Sequence, residues 1–146
     1  MRRIEYSTKQ IKLGDMQAIH VMETEVTPCH ENSTCEAIAD ILVRRGYGSL
    51  PVTDNEGNLL GIITEFDLLK ILQEGKELGK ETVKDNMTRE VMFISPERPV
   101  KEVIDLLEDK RLIRVPVVKD GKLIGIVTRR DILYAVMKGA ANYYNI

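Results

Sequence analysis

Long apolar runs are missing from this 146-residue sequence. A helix that crosses a membrane needs about 18 consecutive apolar residues, and no stretch of the sequence approaches that length. The first residues, Met1–Tyr6, also lack the apolar core of about 7–15 residues that is typical of a secretory signal. We therefore expect a cytoplasmic protein with no membrane partner.

A basic excess is missing as well. The chain has 21 Lys and Arg against 23 Asp and Glu, a net charge of −2, so we expect no nucleic-acid partner. With 43% hydrophobic and 30% charged residues, the composition is that of a globular protein. The length suits one compact domain or two tightly joined halves.

Cysteine is scarce, and its spacing is poor for a metal site. Cys29 and Cys35, with His30 between them, lack the close Cys pairs and matching partners of a zinc site. A nucleophile formed by one of these cysteines and His30 is conceivable, but nothing in the sequence orients it. Phosphate-binding glycine loops and nucleophilic serine elbows are also missing. We expect no metal, no required cofactor and no enzymatic activity.

A repeated motif, Gly-x-x-Thr-x-x-Asp, is the strongest feature that is present. It occurs at Gly61–Asp67 and again at Gly125–Asp131, and every fixed position is displaced by the same number of residues (125 − 61 = 64). Before the hairpin turn that precedes each motif, the displacement is one residue larger, as between Pro51 and Pro116 (116 − 51 = 65). The sequence therefore contains an internal duplication with a one-residue insertion in one turn.

Each repeat predicts a β-α-β-β-α order. In the first repeat a short strand at 25–27 precedes a helix that a Ser33–Glu36 capping box begins and Gly46 ends. In the second repeat a strand at 91–94 precedes a helix from about Pro99, and a last helix from about Arg129 ends at Gly139. The first repeat continues with a predicted hairpin of strands 49–53 and 59–63 and a second helix at 65–73. The second repeat has a predicted hairpin of strands 114–118 and 123–127.

The two repeats are expected to fold together. A unit of about 60 residues buries only about 60% of the surface that its unfolded chain exposes, so it would be marginal alone. We therefore predict an α/β fold in which two pseudo-twofold-related units pack sheet to sheet and leave two clefts. The predicted boundaries are an N-terminal arm (1–14), unit 1 (15–74), a linker (75–82), unit 2 (83–138) and a C-terminal tail (139–146).

The Thr-x-x-Asp part of the motif has two interpretations. It matches a helix capping box, in which Thr and Asp bond to each other's backbone N–H groups. It also suits a nucleotide, because a carboxylate accepts hydrogen bonds from ribose hydroxyls while helix N-terminal amides and an arginine bind phosphate. Arg129 and Arg130 point about 100° apart on a helix, so one of them is expected to reach a given ligand.

The motifs resemble those of a tandem pair of cystathionine-β-synthase-type (CBS) domains, a stand-alone Bateman module. The resemblance rests on the two motifs above, on Leu50-Pro51-Val52 and Val115-Pro116-Val117, and on the opening Val83–Thr88. The first repeat departs from the family at its opening, where Ala18–Glu23 stands. The resemblance implies a regulatory module that binds AMP, ADP, ATP or an adenosyl compound such as S-adenosylmethionine.

The resemblance also implies two binding clefts, each with the Thr and Asp of one repeat and a base pocket from the other. Cleft A would contain Thr128, Arg129, Arg130, Asp131, Thr27, Tyr47, Gly48 and Leu50. Cleft B would contain Thr64, Asp67, Met92, Leu112, Ile113 and Val115. Because Glu65 stands where cleft A has an arginine, we expect the nucleotide in cleft A, and cleft B to be empty or to hold a less anionic ligand.

Family members commonly dimerise through helices, and the second helix of each repeat offers the apolar residues for a homodimer. These are Phe66, Leu69, Leu72, Ile132, Leu133 and Val136, which could equally be core residues. The leading hypothesis is an adenine-nucleotide sensor that controls a separate effector protein of unknown identity. The alternative is a ligand-free structural or dimerisation module whose Thr-x-x-Asp motifs are only helix caps.

Overall fold

The computed structural model describes residues 11–144, with side chains up to Lys138. The predicted α/β class is confirmed, whereas most of the predicted N-terminal arm (1–14) lies outside the described residues. In chain order, the elements are α1 (Ala18–Val21), β1 (Cys29–His30), α2 (Cys35–Arg45), β2 (Ser49–Thr53), β3 (Leu59–Thr64), α3 (Glu65–Gln73), α4 (Val83–Asn86), α5 (Val100–Asp109), β4 (Arg114–Lys119), β5 (Lys122–Thr128) and α6 (Arg129–Tyr144). In the part of the chain that the structure describes, no helix combines the length and apolarity that crossing a bilayer requires.

The chain forms two compact units, and only one of them is continuous in sequence. The continuous unit spans Thr27–Val91, and the composite unit joins the segment ending at Val26 to the segment beginning at Met92. Helix α1 therefore belongs to the composite unit, and α4 belongs to the continuous unit. Each repeat contributes its opening helix to the unit that holds the hairpin of the other repeat.

The continuous unit contains the sheet β1-β2-β3. Strand β1 runs parallel to β2 with Cys29 opposite Val52, and β2 pairs with β3 in antiparallel register. Their turn is held by Asp54, whose Oδ1 accepts hydrogen bonds of 2.9 Å from the N–H groups of Glu56 and Asn58. The buried core lies between this sheet and the helices and consists of Cys29, Cys35, Ile38, Leu42, Leu50, Val52, Ile63, Leu68, Ile71 and Val83.

The composite unit contains the hairpin β4-β5. Ile94 forms a single parallel bridge to Val117, which corresponds to the pairing of Cys29 with Val52 in the first repeat (94 − 29 = 65). Its turn places Asp120 and Gly121 at φ 52° and 80°, as a tight hairpin turn requires. The core consists of Met16, Ala18, Val21, Met22, Ile94, Val100, Val103, Leu107, Val115, Val117, Val127, Ile132 and Ala135.

Four local predictions are wrong. The first strand begins after Pro28, at Cys29, and residues 25–27 are irregular. The predicted strand at 91–94 is reduced to the bridge of Ile94. Thr34, and not Ser33, caps α2, because its side chain accepts from the N–H of Ala37 at 3.2 Å. Helix α6 continues past Gly139 to Tyr144, since one helical glycine costs only about 1 kcal/mol.

Candidate functional site

The glycine of each repeated motif lies where a neighbouring segment approaches the strand closely. A Cβ atom at Gly61 would lie 2.6 Å from the carbonyl oxygen of Thr88. A Cβ atom at Gly125 would lie 2.9 Å from the carbonyl oxygen of Glu23 and 2.7 Å from Sδ of Met22. Any side chain would clash at these distances, so both positions require glycine.

The approaching segments are held by matching backbone bonds. Ile62 and Thr88 exchange two N–H···O bonds of 2.8 Å, and Ile126 and Glu23 exchange bonds of 2.9 and 3.0 Å. Thr88 and Glu23 therefore flank the two motifs, a position that sequence analysis missed. The displacement of 65 residues between them (88 − 23 = 65) is the signal that could have identified both as one repeated feature.

Both Thr-x-x-Asp motifs form capping boxes. Thr64 Oγ1 accepts from the N–H of Asp67 at 3.1 Å, and the N–H of Thr64 donates to Asp67 Oδ2 at 2.8 Å. Thr128 and Asp131 form the same two bonds, at 3.1 and 2.8 Å. The capping interpretation is thus confirmed for both motifs. A carboxylate has about four acceptor positions, so a cap leaves this group able to make further hydrogen bonds.

The two aspartates differ in their surroundings. Asp131 is only 1% exposed and belongs to the interior of the composite unit. Asp67 is half-buried, and its second oxygen, Oδ1, accepts a hydrogen bond of 3.3 Å from Oγ1 of Thr88. Removing Asp131 would therefore disturb a more enclosed environment than removing Asp67.

The first turns of α3 and α6 also differ in charge. Helix α3 begins with Glu65, which adds an anion where the helix dipole favours one. Helix α6 begins with the exposed pair Arg129 and Arg130 before Asp131. The start of α6 is therefore the more attractive of the two for an anionic ligand.

The residues predicted for cleft A are divided between the units. Thr128, Arg129, Arg130 and Asp131 adjoin one another at the β5–α6 junction of the composite unit. The other four belong to the continuous unit: Thr27, Tyr47, Gly48 and Leu50. Leu50 is buried in the core, Tyr47 is half-buried and Gly48 is exposed.

The residues predicted for cleft B are divided in the same way. Thr64 and Asp67 lie at the β3–α3 junction of the continuous unit. The remaining four belong to the composite unit: Met92, Leu112, Ile113 and Val115. Val115 is a core residue, whereas Met92 and Ile113 are exposed.

Both cysteines are buried free thiols in the core of the continuous unit. Burial raises the pKa of Cys29 to about 12, and burial together with nearby carboxylates, first that of Glu81, raises the pKa of Cys35 to about 11. Thiols with such pKa values are protonated and unreactive near neutral pH. Within the described residues, no three His, Cys, Asp or Glu side chains are grouped so that they could hold a metal ion.

Comparison with known proteins identifies both repeats. The family model described as "CBS domain" matches the chain twice, at residues 17–74 and 81–138. These matches cover most of the chain and include both Gly-x-x-Thr-x-x-Asp motifs.

Curated relatives share this region but are longer proteins. MK0525 of Methanopyrus kandleri is 36% identical over 115 residues, which are 77% of this chain and 59% of the relative. The inosine-5'-monophosphate dehydrogenase of Methanocaldococcus jannaschii is 36% identical over 131 residues, 89% of this chain but 25% of the enzyme. The chain thus spans less than two thirds of the length of either relative.

One solved structure has the same fold as this chain, and the match extends over nearly the whole length of that structure. It is the CBS domain pair of protein MJ0100, in complex with 5'-methylthioadenosine and S-adenosyl-L-methionine. It is 30% identical, with a TM-score of 0.69, and the match covers 83% of this chain and 99% of that one.

Proposed function

This chain belongs to the CBS domain family, and on that premise we propose that it is a regulatory module that binds an adenine nucleotide or adenosyl compound and controls a separate protein. The supporting observation is that both repeats retain the whole strand–Thr-x-x-Asp–helix junction, with its glycine and its carboxylate. The MJ0100 domain pair, which has the same fold, is found with two adenosyl compounds.

The proposed chemistry at each junction follows from the groups that meet there. The Asp carboxylate, while it caps the helix with one oxygen, has acceptor positions suited to ribose hydroxyls. The N–H groups of Phe66 and Arg130, at the second position of each helix, and the Thr hydroxyl suit the polar or anionic group attached to the ribose. Base recognition is proposed for Thr27, Tyr47 and Gly48, with the buried Leu50 acting through its backbone.

We expect the two junctions to differ in ligand. Arg129 and Arg130 at the start of α6 favour AMP, ADP or ATP beside Asp131. Glu65 at the start of α3 repels phosphate, so the Asp67 junction is proposed to stay empty or to take a less anionic adenosyl compound. That site would draw its base pocket from Met92, Leu112, Ile113 and the backbone of Val115.

Control of a partner is proposed to occur without catalysis by this chain. Its exposed apolar surface on α3 is large for a surface helix, with Phe66 83% exposed and Leu69 and Leu72 also exposed. On α6, Leu133 and Val136 are exposed, whereas Ile132 is buried and belongs to the core. We propose that these exposed residues form a homodimer interface or contact the effector protein.

One observation favours the alternative of a ligand-free structural module. Asp131 is almost completely buried, and its carboxylate is turned towards the backbone N–H of Thr128. A residue that only caps α6 would be arranged in this way. The two functions must therefore be separated by a ligand-binding measurement.

A thermal-shift panel with adenosine, AMP, ADP, ATP, 5'-methylthioadenosine and S-adenosylmethionine separates them. A ligand at 100 times its Kd stabilises the folded state by about 2.7 kcal/mol. Asp131→Asn keeps an oxygen that can cap α6 but replaces the other with an amide that cannot accept from ribose. We expect this variant to lose the AMP, ADP or ATP response, and the matched variant Asp67→Asn to retain it.

The outcomes distinguish the proposals. If wild type and Asp131→Asn respond identically to every compound, the regulatory proposal fails and the structural module is favoured. If calorimetry finds two ATP bound equally tightly per chain, only the difference between the junctions is contradicted.

A further inference from the structure

A groove in the composite unit lies between α5, the α5–β4 connection and the first turns of α6. Its volume is about 500 Å³, within the range of about 300–1,000 Å³ that is usual for small-molecule sites. Apolar side chains, including Leu107, Leu112 and Ile132, form most of its wall. Glu108, Arg111 and Arg129 add three charged groups. The groove belongs to a single unit. It shares Arg129 and Leu112 with the proposed adenosyl sites, whereas Arg111 and the α5 residues belong to the groove alone.

Arg111 adopts a backbone conformation that favours glycine. Its φ is 52°, in the left-handed region, where a Cβ atom crowds the following carbonyl group. The corresponding residue of the first repeat is Gly46, with φ 67° (111 − 46 = 65). The same chain reversal is thus made without strain in one repeat and with a strained arginine in the other.

Arg129 stands at a position that disfavours a cation. It is the first residue of α6, where the helix dipole favours negative charge. The corresponding residue of the first repeat is Glu65, which suits that position (129 − 65 = 64). The second repeat therefore has a locally unfavourable arginine at two separate positions, and both line the same groove.

The two guanidinium groups are not accounted for by other interactions. Up to Lys138, neither forms a salt bridge or a side-chain hydrogen bond within the described chain. With Glu108, the three charges of the groove sum to +1, whereas Gly46, Glu65 and Val43 at the corresponding positions sum to −1. The positive charge is specific to this groove.

We infer that the groove binds a small amphipathic carboxylate, with its aromatic or acyl body against the apolar wall. Guanidinium groups bind carboxylates through paired hydrogen bonds, and Arg111 and Arg129 supply two such groups. The single net positive charge matches a monocarboxylate better than a nucleotide or a second anionic chain. The volume suits a body of one ring or a short acyl chain.

Titration with octanoate and phenylacetate tests this inference, with 1-octanol and 2-phenylethanol as uncharged analogues. We expect the acids to raise the melting temperature and to shift NMR signals of α5 and α6, and the alcohols to bind at least tenfold more weakly. Arg111→Gly and Arg129→Glu should each weaken binding of the acids at least tenfold. The matched control Lys110→Gln removes a neighbouring cation outside the groove and should leave binding unchanged.

Loss of folding is not expected to confuse the result. Both test substitutions install the residue that the first repeat has at the same position, so the melting temperature without ligand should be unchanged or higher. Arg111→Gly should also leave any adenosine-compound response intact, which separates this site from the proposed function.

Three outcomes would overturn the inference. Acids and alcohols binding equally well would leave only an apolar groove. Acid binding that survives both arginine substitutions would place the ligand elsewhere. A wild-type dimer that binds neither acid, and that Leu133→Asp makes monomeric, would identify a second copy as the occupant.

Discussion

The continuous and composite units contain the same repeated motif and corresponding hairpins, yet their residues differ in character at two matching positions: the start of the helix after the hairpin and the chain reversal before it. In the continuous unit, Glu65 begins α3 and Gly46 reverses the chain, so both residues suit their backbone positions. In the composite unit, Arg129 and Arg111 occupy these positions against local preference. In the continuous unit, both residues are those that stabilise the local backbone. In the composite unit, both positions hold arginines that lower local stability, and binding of an anionic ligand would explain them.

The largest expected effect concerns what the two units share. Gly61→Ala would force a Cβ atom to 2.6 Å from the carbonyl of Thr88, and Gly125→Ala would force one to 2.9 Å from that of Glu23. Since neither backbone segment can move without losing its paired bonds, each substitution should lower the free energy of unfolding by roughly 1–3 kcal/mol. Urea unfolding measures the loss, and hydrogen exchange shows which unit opens.

The control is Gly14→Ala, also in the composite unit, where a Cβ atom would lie 3.9 Å from Nζ of Lys101. It should change stability little. If the Gly61 and Gly125 variants are as stable as this control, the close approach is not what requires glycine.

A smaller effect separates the two aspartates. Asp131→Ala leaves buried N–H and Thr partners unsatisfied and should cost about 1–3 kcal/mol. Asp67→Ala removes the same cap from a half-buried site and should cost about 1 kcal/mol. Chemical denaturation of the two variants measures both values. Asp85→Ala is the exposed comparison, because the Asp85 carboxylate accepts a hydrogen bond of 3.0 Å from Oγ1 of Thr82 at the start of the short helix α4. If both variants lose the same free energy of unfolding, the greater burial of Asp131 does not determine the cost of removing it.

The duplication could be predicted from sequence because its spacing is visible in the residues themselves. The constant displacement of the Gly, Thr and Asp positions identified the duplication. Hydrophobic periodicity, turn residues and capping residues then predicted the α/β order, both hairpins and the starts of α3 and α6. Short strands were predicted poorly, since one bridge at Ile94 or two residues at Cys29–His30 carry little periodic signal.

The composite unit could not be predicted, because local patterns contain no information about which opening helix joins which hairpin. The exchange is revealed by the backbone bonds of Glu23 with Ile126 and of Thr88 with Ile62, and by the close approach of Met22 to Gly125 and of Met87 to Gly61. Likewise, Arg111 is recognisable as unusual only through its φ, and Asp131 is recognisable as buried only in three dimensions.

The smallest expected effect concerns the thiols, which belong to the continuous unit alone. Burial raises the pKa of Cys29 to about 12 and that of Cys35 to about 11, above the ordinary thiol value of 9.0. A raised pKa means that the folded state holds the proton more tightly than the unfolded state. Their contribution to stability is therefore complete below pH 9 and is lost as the pH rises towards 12, so stability should not change between pH 7 and 8.5 on their account.

The measurement is the rate of modification by a thiol reagent at pH 8 over a series of urea concentrations. Because the folded thiols are both buried and protonated, the rate should follow the opening of the continuous unit. Cys29→Ser and Cys35→Ser assign each phase, and Gly61→Ala should accelerate modification while Gly125→Ala changes it less. Rapid modification of either thiol in fully folded protein would show that the continuous unit is less closed than its core indicates.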